Sequence, residues 1–181
     1  GGPRTLEEIL PALPAGFPWP VLVAQHMPSS FTGVFARRMD GLCALEVVEV
    51  DRPMPLEPGR IHIGRGDADL VVEKRLGRLV AASVPADASL WHPSADRLVR
   101  SAMAAVPPAA LTGVLLTGMG DDGAAAMTEL RGRGGRTIAE AEQTAVVFGM
   151  PAELIRRGGA DVVLPSDAVA RQLLGWARRA R

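Results

Sequence analysis

The chain has 181 residues, of which 48% are hydrophobic, and this is sufficient for one domain with a packed core. Its 20 basic and 20 acidic residues cancel and form no long runs, which speaks against a nucleic-acid or anionic-membrane partner. The single cysteine, Cys43, excludes an internal disulfide and a cysteine-based zinc site. Together with the lack of a signal peptide or of an apolar stretch of about 18 residues, this predicts a cytoplasmic protein without membrane insertion.

Short apolar runs and helical periodicities alternate along most of the chain, which predicts an α/β fold with a mostly parallel sheet. The predicted helices, in chain order, are residues 4–13, residues 29–42, a helix beginning at Pro93, residues 122–133, residues 151–157 and a last helix capped by Ser166. The predicted strands are residues 21–24, 44–50, 60–63, 111–117, 136–139 and 161–164, with a short buried segment at 146–148. A hairpin is predicted over residues 69–82, with its turn near Gly77.

The most informative stretch is residues 111–123. Its mostly apolar first half shows no alternation, which is typical of a strand buried on both faces. The run ends in three glycines that bracket two carboxylates, Asp121 and Asp122, and an Ala-rich helical pattern follows. Strand, tight turn and helix are therefore predicted. Both carboxylates would lie at the carboxyl-terminal edge of a parallel sheet, where open α/β folds bind ligands.

The same stretch also matches the dinucleotide-binding fingerprint. The glycines read Gly118-x-Gly120-x-x-Gly123, and an acidic residue, Glu140, follows about 20 positions later at the end of the next predicted strand. The two aspartates inside the turn argue against this interpretation, because their charge would oppose a pyrophosphate at the helix N-terminus. Dinucleotide binding is kept as a weaker alternative.

Among the three histidines, His26 is placed as Asp122 is, after a short buried strand and before a helix. In a parallel sheet both would lie at the same edge, and a histidine oriented by a carboxylate is a general base. The alternative is that His26 only caps a helix or packs under Phe31. We expect His62, which alternates with isoleucines in a strand, to point to solvent, and His92 to be a loop or capping residue that could line a cleft. No local pair has metal-ligand spacing, so no metal site is predicted.

A nucleophile is missing from these positions. The chain has no Gly-x-Ser-x-Gly elbow, and Ser29, Ser30 and Ser94 stand at predicted helix starts rather than after buried strands. We expect a nucleophile to fit just before Gly1, in a turn whose glycines open the first helix.

Several segments together resemble the CheB-type chemoreceptor protein-glutamate methylesterases, along nearly the whole chain and in the same order. The resemblance is carried by VAQHMPxxFT at 23–32, LTGMGDDGA at 116–124, VVFGMP at 146–151, PSxD at 93–96 and PGxIxI at 58–63. It implies a doubly wound α/β domain, with helices on both faces of the sheet and a small β-hairpin insertion. It also implies a Ser-His-Asp triad that needs no metal or cofactor.

The resemblance implies roles for individual residues. His26 resembles the triad base, and Asp122 resembles the carboxylate that orients it, while Asp121 stands where the family often has asparagine. The backbone of Met119, in the turn that begins at Gly118, resembles the oxyanion donor. The family serine stands in a Ser-x-Gly-Gly turn. Because this chain starts at the two glycines, we expect the nucleophile and the first strand to lie outside it.

Two segments depart from the family pattern. Family members commonly have His-x-Pro-Ser where this chain has Trp91-His92-Pro93-Ser94, and Pro-Gly-x-x-His where it has residues 65–69. Both segments are expected near the cleft, with Trp91 and His92 as pocket residues that set substrate preference. Trp91 could contact a receptor helix or could pack into its own domain.

The implied reaction is hydrolysis of glutamate methyl esters, and often deamidation of glutamines, on the cytoplasmic helices of chemoreceptors during chemotactic adaptation. A phosphoacceptor receiver domain is a further implied partner, and the chain resembles only the catalytic domain, without that receiver. The main rival is a non-catalytic signalling module on the same fold. The residue two positions before Gly1 would distinguish them, because only an enzyme needs a serine there.

Overall fold

A computed structural model describes residues 2–180. Helices and strands alternate as the periodicities predict. The helices are α1 (Gly2–Ile9), α2 (Ser29–Leu42), α3 (Ala95–Ala105), α4 (Ala124–Gly132), α5 (Met150–Arg156) and α6 (Ser166–Arg179). The strands are β1 (Val21–Val23), β2 (Glu46–Val50), β3 (Met54–Pro55), β4 (Arg60–Gly64), β5 (Ala68–Arg75), β6 (Arg78–Pro85), β7 (Thr112–Leu115), β8 (Arg136–Glu140) and β9 (Val162–Leu164).

Six of these strands form two parallel sheets of three strands, in the orders β1-β4-β2 and β7-β8-β9. A third sheet, β3-β6-β5, is antiparallel and contains the predicted hairpin. Its turn, at Leu76 and Gly77, has positive φ at both residues, as a tight two-residue hairpin turn requires. The predicted α/β class, with mostly parallel strands and a β-hairpin insertion, is confirmed.

The central strand β4 shows why the parallel strands read as continuous apolar runs. Ile61, His62 and Ile63 are all fully buried although their side chains alternate between the two faces. On one side they pack against α2 through residues such as Met39, which is also fully buried. Burial of each such aliphatic side chain stabilises the fold by about 1.5–3 kcal/mol. A second hydrophobic cluster, around Leu115 of β7, packs the sheet β7-β8-β9 against α4 and α5.

The prediction that His62 points to solvent is wrong. Its Nδ1 lies 2.9 Å from the carbonyl oxygen of Val21 and its Nε2 3.3 Å from that of Pro55. Burial lowers the pKa of His62 below its usual value. The alternation rule failed because β4 is the middle strand of its sheet and both of its faces are covered.

Two further local predictions are wrong. Residues 146–148 form no strand but a single bridge, Gly118 to Phe148, and Val146 is 69% exposed. The backbone of Val147 is instead tied to Thr117, whose side chain accepts its N–H at 2.8 Å. Ser166 does not cap α6, because its hydroxyl donates to Glu8 at 2.7 Å and so joins α6 to α1.

No helix within residues 2–180 is long and apolar enough to cross a membrane.

Candidate active site

His26 and Asp122 meet at the carboxyl ends of two parallel strands, which belong to different three-stranded sheets rather than to the single sheet that was predicted. His26 follows β1, Asp122 follows β7, and His26 Nε2 lies 2.7 Å from Asp122 Oδ2 although 96 residues separate them in sequence. An ionised carboxylate can only accept a hydrogen bond, so Nε2–H is the donor. In the neutral ring Nδ1 then carries the lone pair, and it has no hydrogen-bond partner within residues 2–180.

The N-terminus of α3 holds Asp122 in place. The carboxylate is 5% exposed and accepts hydrogen bonds from the backbone N–H groups of Ala95 (2.7 Å) and Asp96 (3.0 Å) and from the hydroxyl of Ser94 (3.1 Å). Burial raises the pKa of Asp122, but the bonds from His26 and from these N–H groups outweigh it and keep the pKa below its usual range. Asp122 therefore stays ionised and fixes the tautomer of His26.

Sequence reasoning missed this role of α3. Ser94 was expected at a helix start, and it is indeed the N-cap, accepting from the N–H of Arg97 at 3.1 Å. That its hydroxyl proton points to Asp122 follows only from the packing of α3 against the turn after β7. The same two bonds leave Ser94 occupied on both sides, so it is poorly placed to act as a nucleophile.

The glycine turn presents Met119 at the surface. Gly120 and Gly123 have φ of 89° and 90°, a backbone conformation that glycine adopts without strain. The side chain of Met119 is 65% exposed, and its backbone N–H has no acceptor within the part of the chain that the structure describes. The N–H of Gly118, in contrast, bonds to Val147 O at 3.0 Å, so Gly118 supports the turn and cannot donate to a substrate oxygen.

Trp91 forms a wall of the site. Its indole stacks on the imidazole of His26, with ring centroids 5.1 Å apart and planes 11° from parallel. The same indole borders the glycine turn, because a β carbon on Gly120 would lie 3.1 Å from its Nε1. Trp91 is thus half-buried and packs against its own domain through His26 and the glycine turn, and a contact with a receptor helix stays a prediction. His92 turns away from His26 and bonds to the buried carboxylate of Asp69 at 2.8 Å.

A cleft of about 420 Å³ opens beside Asp122, between α3 and the loop before it. Its lining includes Trp91, two arginines and four carboxylates, and the charged residues are Arg97, Arg100, Asp87, Asp96, Asp121 and Asp122. A shallow depression of similar size, about 450 Å³, lies between α2 and β2 and contains neither His26 nor Asp122.

The residues that could bind a metal ion or a dinucleotide make other contacts in the structure. Within residues 2–180, one group of potential metal ligands is close together, formed by Asp69, Asp87 and His92. Arg97 already occupies Asp69 at 2.7 Å, so this group is an ion-pair network. Glu140, the acidic residue of the dinucleotide fingerprint, is fully buried and accepts from the Thr117 N–H at 2.8 Å. It cannot reach a ribose.

The chain is similar to known proteins along nearly its whole length. The CheB methylesterase family model matches residues 1–173. The chain is 60% identical over 182 residues to protein-glutamate methylesterase/protein-glutamine glutaminase 3 of Rhodospirillum rubrum, covering 100% of this chain and 49% of that protein. It is 46% identical over 177 residues to protein-glutamate methylesterase/protein-glutamine glutaminase of Caldanaerobacter subterraneus subsp. tengcongensis, and this match covers 96% of this chain and 48% of that protein. The chain thus spans about half the length of the curated relatives it matches. The crystal structure of the Thermotoga maritima CheB methylesterase catalytic domain superposes with a TM-score of 0.92 at 36% identity, covering 97% of this chain and 93% of that one.

Proposed function

The chain belongs to the CheB methylesterase family, and from this premise we propose that it hydrolyses glutamate methyl esters on chemoreceptors. His26 is the general base, and Asp122 orients it. The observation that carries the proposal is the 2.7 Å bond from His26 Nε2 to an ionised, buried Asp122, which leaves Nδ1 free as the base. The relatives' names add glutamine deamidation as a second reaction of the same site.

The proposed nucleophile is a serine in a turn that precedes α1. Gly2, at the start of α1, packs against the side chain of Gln25 so closely that a β carbon there would clash with it. Gln25 is the chain neighbour of His26, so the start of α1 lies at the loop that carries the proposed base, which supports a nucleophile in the preceding turn. None of the serines within residues 2–180 bonds to His26.

The reaction then follows from these positions. The serine oxygen attacks the ester carbonyl while Nδ1 of His26 takes its proton, and the N–H of Met119 stabilises the oxyanion. The tetrahedral intermediate collapses, and methanol leaves with the proton returned by His26. Water attacks the acyl-enzyme with His26 again as base, which releases the glutamate carboxylate and restores the serine. For a glutamine substrate, ammonia leaves instead of methanol.

From the family membership we propose the cytoplasmic helices of chemoreceptors as the substrate and the cytoplasm as the location. A phosphoacceptor receiver domain as a further partner stays a prediction.

The test measures methanol release from methylated receptor. The 181-residue chain is compared with the extended protein, a version that continues upstream through the Ser-x-Gly-Gly turn. We expect activity only in the extended protein, and its loss when that upstream serine is changed to alanine. If the shorter chain is equally active, a serine within it is the nucleophile, and Ser94→Ala would identify the nearest candidate. An inactive extended protein that binds receptor would favour the non-catalytic signalling module.

A further inference from the structure

A second histidine–aspartate pair lies behind the site, formed by His92 and Asp69. His92 Nδ1 is 2.8 Å from Asp69 Oδ1, and His92 Nε2 is 2.7 Å from the carbonyl oxygen of Ser89. Both partners are acceptors, so only a ring with protons on both nitrogens satisfies them together. The bond to Asp69 raises the pKa of His92. The pair therefore fixes the ring through two hydrogen bonds rather than leaving a nitrogen free.

Asp69 is a rigid anchor for this ring. Its side chain is fully buried in β5, and its second oxygen accepts from Arg97 Nη1 at 2.7 Å. The N–H of Ser94 donates to the oxygen that also faces His92, at 2.8 Å. Burial raises the pKa of Asp69, but its bonds to His92, Arg97 and Ser94 outweigh burial and lower it. These three bonds hold the buried carboxylate of Asp69 in one position.

The anchored residue is the chain neighbour of Trp91. Trp91 stacks on His26, while His92 points the other way to Asp69. The two segments that depart from the family pattern, residues 65–69 and 91–94, thus meet through this pair. Asp87 is the remaining ionisable group near the ring, 4.0 Å from Nε2, and Asp122 lies beyond His26.

We propose that the Asp69–His92 pair is a positioning device that holds Trp91 against the ring of His26 and so aligns the general base. This inference rests on the proposed function of His26. The contact chain runs from Asp69 through His92 and Trp91 to His26, and each link is a hydrogen bond, a peptide bond or a ring stack seen in the structure. Stacking at this separation limits rotation of the imidazole about its Cβ–Cγ bond. The hydrogen bond to Asp122 fixes the direction in which Nε2 points within the plane of the ring.

The experiment reads the stack directly, by nuclear Overhauser contacts between the ring protons of Trp91 and His26 in the extended protein. The wild type should show these contacts. His92→Gln, which leaves the Asp69–Arg97 bond in place, should weaken them severalfold, and Trp91→Ala marks complete loss. Glu73→Gln is the matched control, because this carboxylate lies on β5 as Asp69 does but bonds to Arg75 and not to His92, and it should leave the contacts unchanged. Long-range ¹H–¹⁵N spectra should show both ring nitrogens of His92 protonated at neutral pH.

Kinetics supply the second readout. With a small activated ester, His92→Gln should lower kcat by about 10-fold with KM unchanged, since only alignment is lost. Ring contacts that persist in His92→Gln would overturn the proposal, and the pair would then only fasten the loop to the hairpin. Absent contacts in the wild type would also overturn it. If the contacts behave as expected but no variant has esterase activity, the proposed function fails while the positioning role of the pair stands.

Discussion

Two histidine–aspartate pairs of nearly equal length lie within residues 2–180, each with a buried carboxylate, and one of them has the features of a catalytic pair. His26 lies 2.7 Å from Asp122, and His92 lies 2.8 Å from Asp69. Both carboxylates are buried, and both also accept N–H groups from the N-terminal end of α3. The distance and burial that usually mark a catalytic pair therefore do not separate them.

The difference lies in the second ring nitrogen. In His92 it is bonded to the carbonyl of Ser89, whereas in His26 it has no acceptor or donor within residues 2–180. A general base needs a nitrogen with a free lone pair, and a positioned cation needs two acceptors. A catalytic histidine is therefore distinguished from a structural one by the partner of the ring nitrogen that does not face the aspartate. The histidine–aspartate distance does not distinguish them.

The largest effect is expected from variants that break the pair formed by His26 and Asp122. In the extended protein, Asp122→Asn should lower kcat on the order of 10⁴-fold, because an amide no longer enforces the Nε2–H tautomer of His26. His26→Ala should be at least as damaging, and receptor binding should change little in either variant. Asp121→Asn is the matched control and should be mild, because Asp121 is exposed and makes no bond to His26. A larger loss in Asp121→Asn would mean that the wrong aspartate has been assigned to the pair.

The second prediction compares the two carboxylates as structural groups. Asp69→Ala and Asp122→Ala should each lower the free energy of unfolding by about 1–3 kcal/mol, since each leaves buried donors of α3 without acceptors. Urea unfolding at neutral pH measures both. Asp167→Ala, in the first turn of α6, is a control for a carboxylate that is exposed. Equal losses with very unequal activity would sharpen the distinction between the two pairs.

The third prediction concerns pH. The pKa of His92 is raised in the folded protein, so the folded state binds more protons than the unfolded state between the two pKa values. The contribution of this pair to the free energy of unfolding is fully present below about pH 6.5, the pKa of histidine in the unfolded chain. It is lost as the pH rises through the pKa of His92 in the folded protein. Wild type should therefore lose stability relative to His92→Gln across that interval. Parallel curves of melting temperature against pH would contradict an ionised His92.

The opposite sign applies to the aspartates. Asp69 and Asp122 both have lowered pKa values in the folded state, so their contribution is complete above about pH 3.9 and is lost as pH falls through the folded values. Both aspartates should hence lose their stabilising contribution in acid, whereas the contribution of His92 is lost as pH rises. Acid titration of Asp69→Asn and Asp122→Asn, each with a shallower slope than wild type, is the measurement.

The smallest expected effect separates backbone strain from the contact with Trp91. Gly120 and Gly77 both have positive φ, 89° and 76°, so alanine at either should cost about 1–2 kcal/mol of stability. A β carbon meets the indole of Trp91 at Gly120 but open space at Gly77. Only Gly120→Ala should therefore also lower kcat on a small ester. A matching loss in Gly77→Ala would show that general strain, rather than the indole, is responsible.

Much of the architecture follows from local pattern. The strands and helices lie within a few residues of the predicted ranges, because burial on two faces and the helical period are visible in sequence. That His26 and Asp122 come together was also predictable, since each follows the carboxyl end of a parallel strand, but these strands belong to two sheets. The family motifs at 23–32 and 116–124 added the roles that pattern alone left open.

Other features depended on contacts between distant segments. The burial of His62 reflects its central place in the sheet, and the exposure of Val146 reflects the bond of its neighbour to Thr117. The sequence determined that this chain is an α/β domain with a histidine and an aspartate that each follow a parallel strand. Only the tertiary structure decided that α3 holds Asp122, that Trp91 covers His26 and that His92 serves Asp69. Periodicity reports how a residue faces its own element, whereas these contacts depend on how separate elements pack against one another.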